Sequence, residues 1–441
     1  VSIALIIFCG ITSIVIGKWS FGKWFNPLGL YGFVWCFSLS LLETNLIQYY
    51  PLSSETWFLI ISGWLSFSIG VLTIVASRSS LQRNTKQGFQ QYILTESNIR
   101  AEQQVLYKIL FIINTISFLN LLHLIYLIKN IIGDVTNVLA VGNFLYSFRV
   151  REGIPGSIPY VGSLMLTGCL LAGVYASSKN KIQLITVIPI IISILTSIFN
   201  MGRAMLILAC ILFIAGYFFE HIRTKKYIGV LRNGSLRKYF GITLVIAMII
   251  GGAEVVRSNR GSIESYGSAT GALKKIGKMG FITPSIFMYV TANNVVFDQY
   301  LKSEKESEVV GNYTLAPFWR TLAKIGFDTY VNQYQPFYYT PVRANTGTYL
   351  RELHVDFGIL GVLFGPYILG VLSSFFWFRI QKLGRLLDIV FLGFLFVVIA
   401  MSIFYWVLQL GYWLSGLLYG ICIALYVDRQ VHKKNIHIRY G

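Results

Sequence analysis

The stretch Ile182–Phe219 reads IQLITVIPIIISILTSIFNMGRAMLILACILFIAGYFF, two apolar runs separated only by Asn200-Met-Gly-Arg203. Each run is near the length at which a helix crosses the roughly 30 Å hydrocarbon core of a bilayer. In that medium every backbone N–H and C=O must be paired inside a helix or a closed barrel. A barrel needs short alternating strands, and these runs are continuous, so the stretch predicts two transmembrane helices joined by a tight turn.

The same block pattern recurs on both sides. Candidate spans are Ile3–Gly17, Pro27–Tyr49, Trp57–Ala76, Val105–Ile128, Tyr160–Ala176, Ile182–Phe199, Ala204–Phe219, Phe240–Val256, Phe357–Phe378, Leu387–Leu408 and Gly411–Val427. The expected fold is therefore all-α, a polytopic transmembrane bundle of about eleven spans. Composition agrees: hydrophobic residues make up 55% of the chain and charged ones 12%, about half the charge of a soluble domain.

The net charge of +19 is spread over connectors and tail, the distribution that sets topology rather than one that binds nucleic acid. Arg78, Arg83, Lys86 and Arg100 follow the third span. His221 to Lys238 follows the seventh, Arg379, Lys382 and Arg385 the ninth, and Arg429 to Arg439 close the chain. With alternating spans all four groups share one side, which the positive-inside rule assigns to the cytoplasm.

Four segments result. Residues 1–256 hold spans one to eight, 257–351 a large external region, 352–428 the last three spans, and 429–441 a basic cytoplasmic tail. Within the external region Phe281–Asp298 is expected as a re-entrant or interfacial helix, since a full crossing would invert every later span. Leu315–Ile325, with Trp319 and Arg320, is expected as a second interfacial helix. No cleavable signal peptide is evident.

No internal repeat, phosphate-binding Gly-Lys loop or Gly-rich dinucleotide turn occurs. No Asp-x-Asp pair is available to clamp a metal–nucleotide complex. The five cysteines lie far apart inside apolar segments, without zinc spacing. Neither a metal nor another cofactor is expected.

The external side instead gathers arginines: Arg203 in the tight turn, Arg257 and Arg260 beside Glu254, and Arg343 and Arg351 before the ninth span. Guanidinium forks match phosphate oxygens two at a time and keep their charge at any pH. A lipid pyrophosphate presented at the membrane surface suits such a set, and so do ordinary lipid head groups. Tyr330, Tyr334, Phe337, Tyr338, Tyr339 and Tyr349 offer either stacking platforms for sugar rings or an interfacial aromatic belt.

The motif Asn345-Thr-Gly-Thr-Tyr-Leu350, followed by Asp356-Phe-Gly-Ile-Leu-Gly361, resembles the bacterial oligosaccharide repeat-unit polymerases, the Wzy-type O-antigen and capsule polymerases of the O-antigen ligase superfamily. The large external region before it and the Gly-Arg between spans agree with that layout. Asn345, Thr348 and Tyr349 are the motif positions. Ligases tend to carry His before the Asn, where this chain has Ala344, which favours polymerase over ligase.

The resemblance implies a metal-independent glycosyltransferase of the C type in the bacterial cytoplasmic membrane, its site facing the periplasm or exterior. Donor and acceptor would be polyprenyl-pyrophosphate-linked oligosaccharides, the product O-antigen or capsular polysaccharide, and a chain-length-regulating co-polymerase a further partner besides membrane lipids. Arg203, Arg257, Arg260, Arg343 and Arg351 would stabilise the pyrophosphate. His354, Glu352, Asp356 or Glu254 would take the acceptor's proton, His354 being favoured as a base near neutral pH. The alternatives are a ligase-type transferase and a lipid-linked oligosaccharide flippase. A flippase would place its charges around a mid-membrane cavity between matched halves, and here the charges gather at one face.

Overall fold

The computed structural model describes residues 3–84, 96–158, 160–228, 269–278, 284–303, 310–327, 336–341 and 343–440. Helix dominates, as an apolar chain in lipid requires. The apolar helices in order are α1 (Ile3–Phe21), α2 (Pro27–Glu43), α3 (Ser54–Asn84) and α4 (Glu96–Ile132). A short α5 (Gly142–Arg151) precedes α6 (Leu164–Lys179), α7 (Leu184–Phe199) and α8 (Ala204–Ile228). Then come α9 (Gly271–Lys278), α10 (Pro284–Ser303) and α11 (Ala316–Lys324), a two-residue hairpin of β1 (Tyr338–Tyr339) and β2 (Arg343–Ala344), and finally α12 (Tyr349–Leu383), α13 (Leu386–Ala400) and α14 (Gly411–Tyr440).

Among the described residues seven helices are long and apolar enough to cross a membrane, namely α1, α3, α4, α6, α8, α12 and α14. Helices α2, α7 and α13 are apolar but shorter. These ten fall on ten of the candidate spans, while Phe240–Val256 lies outside the described residues. The ends differ from expectation. Helix α2 stops at Glu43 and α13 at Ala400, each followed by apolar residues that hydropathy alone adds to the span. Helix α14 runs on through the basic tail to Tyr440.

Contacts divide the chain into two compact units that interleave in sequence. The first comprises Val1–Phe89, Glu264–Phe375 and Leu395–Gly411, the second Gln90–Ile263, Phe376–Phe394 and Tyr412–Gly441.

In the first unit α10 is laced to its neighbours by polar side chains on one face. Asn294 donates to Ser38 at 2.9 Å, and Tyr49 and Thr291 share a hydrogen bond of 2.8 Å. Asp298 accepts from the Ser53 N–H at 2.7 Å, from Thr56 at 2.8 Å and from Lys302 at 2.5 Å. Such a row stabilises helix association where lipid supplies no hydrophobic drive between helices. Helix α10 is not among those apolar enough to cross. Helix α11 forms where expected and exposes Phe318, with Leu315, Ile325 and Phe327 exposed around it.

In the second unit α6 and α8 cross closely. A Cβ on Gly173 would strike the Phe213 carbonyl, and one on Gly216 the Leu170 carbonyl, so glycine at both positions permits the approach. At one end of α8, Arg223 is buried with Glu102 and Glu220, each at 2.6 Å, and donates to the Gly384 carbonyl at 3.1 Å. At the other, Met201 in the α7–α8 turn joins Leu124, Ile128, Val138 and Leu145 in an apolar cluster under the loop that contains α5.

Candidate functional site

The motif does not lie before a helix but enters one. Helix α12 begins at Tyr349, eight residues earlier than the expected span, because Tyr349, Leu350, Leu353 and Val355 all find buried contacts on the first unit. Gly358 then interrupts it with φ 59° and ψ −147°, a conformation that glycine adopts without a Cβ penalty. The long apolar part continues from Ile359.

Tyr349 is wholly buried. Its hydroxyl meets that of Tyr31 at 2.9 Å, its ring stacks on Trp406 with centroids 6.0 Å apart, and its N–H donates to the Ser402 carbonyl at 2.8 Å. Trp35 reaches the Ser402 hydroxyl at 3.0 Å. The motif tyrosine therefore clamps the start of α12 to α2 and to residues 402–406, and a sugar ring does not reach it. Thr348 is buried beside it.

The next turn is unusual for a protein interior. Arg351 and Glu352 are each only 1% exposed, with 3.7 Å between Arg351 Nη2 and Glu352 Oε1. Arg351 Nη2 donates to the Asn345 carbonyl at 2.7 Å. Among the described residues its Nε and Nη1, and the Oε2 of Glu352, are buried with no hydrogen-bond partner, as is Thr348 Oγ1. Each such orphan costs on the order of 1–3 kcal/mol, more for a charged group. A buried guanidinium with two unfilled donors is suited to receive oxygens of an anion, and the adjacent carboxylate to receive a proton.

Two further candidates sit on the same helix. Asp356 accepts from the backbone N–H groups of Tyr313 and Thr314, at 3.1 and 2.6 Å, and from the Thr314 hydroxyl at 2.7 Å. Its oxygens are committed to holding residues 313–314. His354 is half-buried, with Nδ1 3.0 Å from the Tyr300 hydroxyl of α10 and its ring edge-on to Tyr300 at 5.7 Å. Arg343 is exposed on the hairpin, its guanidinium 4.2 Å from the Phe337 ring centroid. Phe337 and Tyr339 are exposed beside it, while Tyr330 and Tyr334 lie outside the described residues.

The first unit thus brings together Arg351, Glu352, Thr348 and Asn345, with His354 and Asp356 on the following turn. Arg203 belongs to the second unit, half-buried in the α7–α8 turn as expected. There the Arg149 guanidinium packs on Gly202, its Nη1 2.7 Å from the place a Cβ would take. Glu254, Arg257 and Arg260 lie outside the described residues. Tyr300 and Arg149 are residues that sequence reading missed: nothing local marks either one, and only the packing of α10 and α5 reveals them. Among the described residues no group of three or more His, Cys, Asp or Glu side chains is arranged to hold a metal ion. No family model, curated protein or solved structure matches the chain.

Proposed function

We propose that this chain is a C-type membrane glycosyltransferase of about eleven spans that polymerises polyprenyl-pyrophosphate-linked oligosaccharide repeat units. The product is O-antigen or capsular polysaccharide, made at the outer face of the bacterial cytoplasmic membrane. The observation that carries the reading is the buried Arg351 guanidinium with Nε and Nη1 unfilled beside the unfilled Glu352 Oε2, between the two elements of the motif that resembles the repeat-unit polymerases.

The chemistry asks for two things at one place. The bond from the donor sugar's anomeric carbon to pyrophosphate breaks, and Arg351 supplies fixed charge-assisted donors where negative charge grows. An acceptor hydroxyl attacks that carbon and gives its proton to a base, Glu352 or His354. Arg343, at the surface of the same unit, is a further contact for the anionic lipid head, and the exposed rings of Phe337 and Tyr339 are platforms for sugars.

The test is product length. Purified protein given a lipid-linked repeat unit in detergent should yield a ladder of longer glycans, and Arg351→Lys should shorten it, since an ammonium cannot reproduce the two-pronged geometry. Protein that never lengthens the glycan, yet moves the lipid-linked unit across liposomes, would make it a transporter instead.

A further inference from the structure

Helices α4, α6 and α14 of the second unit leave a groove between them. One end is a cavity of about 810 Å3 lined by Gln104, Tyr107, Lys108, Tyr175, Lys179 and Gln430. The other is a cavity of about 380 Å3 lined by Ile113, Ile116, Leu164, Tyr419, Cys422 and Ile423. Ile109, Ile112 and Tyr426 line both, so the two adjoin along the helices.

Its dimensions and polarity fit one kind of occupant. Along α4 the lining runs from Gln103 to Ile116, about 20 Å at 1.5 Å per residue. Half of a bilayer's hydrocarbon core is about 15 Å, which leaves several ångströms for a head group. One end is hydrocarbon-like apart from two phenols, of Tyr419 and Tyr426, and the Cys422 thiol. The other carries Lys108 and Lys179, both exposed, and no carboxylate.

The nearest acid in sequence, Glu102, is buried and paired with Arg223 at 2.6 Å rather than turned to the lysines. Gln103 donates to the Ser178 carbonyl at 3.0 Å and holds α4 against α6 at the polar end. The rings of Tyr107 and Tyr175, 6.2 Å apart, stand where the lining changes from apolar to polar, the level at which amphipathic rings meet lipid head groups.

We infer that this groove binds one anionic phospholipid, with an acyl chain along Ile112 and Ile116 and the phosphate between Lys108 and Lys179. The polar end lies beside Arg100 of α4 and Lys181 after α6, the side that the positive-inside rule assigns to the cytoplasm. Basic pockets between helices on that side recognise anionic head groups. The ligand is thus a lipid of the cytoplasmic leaflet. It is distinct from a lipid-linked glycan handled at the outer face, and its binding stands whether or not the chain is a transferase.

The full-length protein in detergent is titrated with dioleoylphosphatidylglycerol or dioleoylphosphatidylcholine and read by native mass spectrometry. Wild type should bind the anionic lipid roughly thirtyfold more tightly, the scale expected of two lysines near a head group. Lys108→Gln with Lys179→Gln should remove that preference and leave the zwitterionic lipid unaffected; both lysines are exposed, so the fold tolerates the change. Ile112→Trp, filling the apolar part, should weaken both lipids. Equal affinities in wild type, a preference that survives the double substitution, or displacement of the lipid by inorganic phosphate alone would each overturn the assignment.

Discussion

Asp356 Oδ2 accepts the backbone N–H of Thr314 at 2.6 Å and the hydroxyl of the same residue at 2.7 Å. This carboxylate lies on the same helix as Glu352 but spends its lone pairs on a turn about forty residues upstream. Asp356→Asn should therefore act on stability. An amide nitrogen turned toward those N–H donors would lose about 1–3 kcal/mol, seen as a lower melting temperature in detergent. Glycan elongation per folded molecule should change far less than in the more damaging of the Glu352→Gln and His354→Ala variants. A normal melting temperature with lost turnover would instead place Asp356 in the chemistry.

The proton acceptor is the sharper question. Glu352 has an unfilled oxygen next to Arg351, and His354 is held by Tyr300 at 3.0 Å. Of Glu352→Gln and His354→Ala, one should lower turnover by roughly a hundredfold or more, the usual scale for losing a general base, with lipid-linked substrate still bound. Elongation rates from defined lipid-linked repeat units read the difference. Full activity in both variants would remove the base from this turn altogether.

Gly347 has a physical reason to be glycine. A Cβ there would lie 2.5 Å from Arg351 Nε and 2.8 Å from its Cδ and Cζ. Gly347→Ala should therefore displace the guanidinium and reproduce the defect of Arg351→Lys without changing any charge. Glycan length at equal protein checks this, and a Gly347→Ala protein with wild-type product would show that the position of Arg351 is immaterial.

What was legible in the sequence was whatever hydropathy encodes. Ten apolar runs became helices, and the amphipathic segment around Trp319 and Arg320 became α11. The helix boundary at the motif was not legible. Leu350, Leu353 and Val355 turn inward among polar neighbours; Leu350 meets Gly63 of α3, and Leu353 meets Gly365 only because the helix bends back at Gly358. The expected span Phe357–Phe378 puts Gly358 at the start of a helix, whereas Gly358 is a break inside one. The site divided in the same way. Residue type and spacing drew attention to Arg351, Glu352 and His354, but the commitment of Asp356, the burial of Tyr349 and the part of Tyr300 depend on contacts with residues far off in the chain, for which a single sequence carries no signal.

Asp298 offers a pH test in a helix outside the crossing segments. Burial alone would push its carboxyl up, but Lys302, the Ser53 N–H and the Thr56 hydroxyl outweigh that and hold it below the usual carboxylate range. A folded-state value below the unfolded one means that the stabilisation is complete above the ordinary aspartate range and fades as pH falls through the lowered value. The melting-temperature gap between wild type and Asp298→Asn should stay constant down to about pH 4 and narrow below it. A gap that closes between pH 8 and 6 would contradict the depressed value.

Sidedness underlies the whole reading, and it turns on α10. If this helix stays on the outer side, its end at Ser303 faces outward and the basic connector after α8 faces the cytoplasm. In a cysteine-free background, Ser303→Cys in intact cells should react with a membrane-impermeant thiol reagent. Asn233→Cys, placed in the basic connector outside the described residues, should react only after permeabilisation. The polar face of α10, with Asn294 on Ser38 and Asp298 capping α3 through Ser53 and Thr56, gives the physical expectation, because that row is satisfied by protein rather than by lipid. Labelling of Asn233→Cys from outside would invert every later span, move Arg351 and Glu352 to the cytoplasmic face, and leave the outer-face transferase without its site.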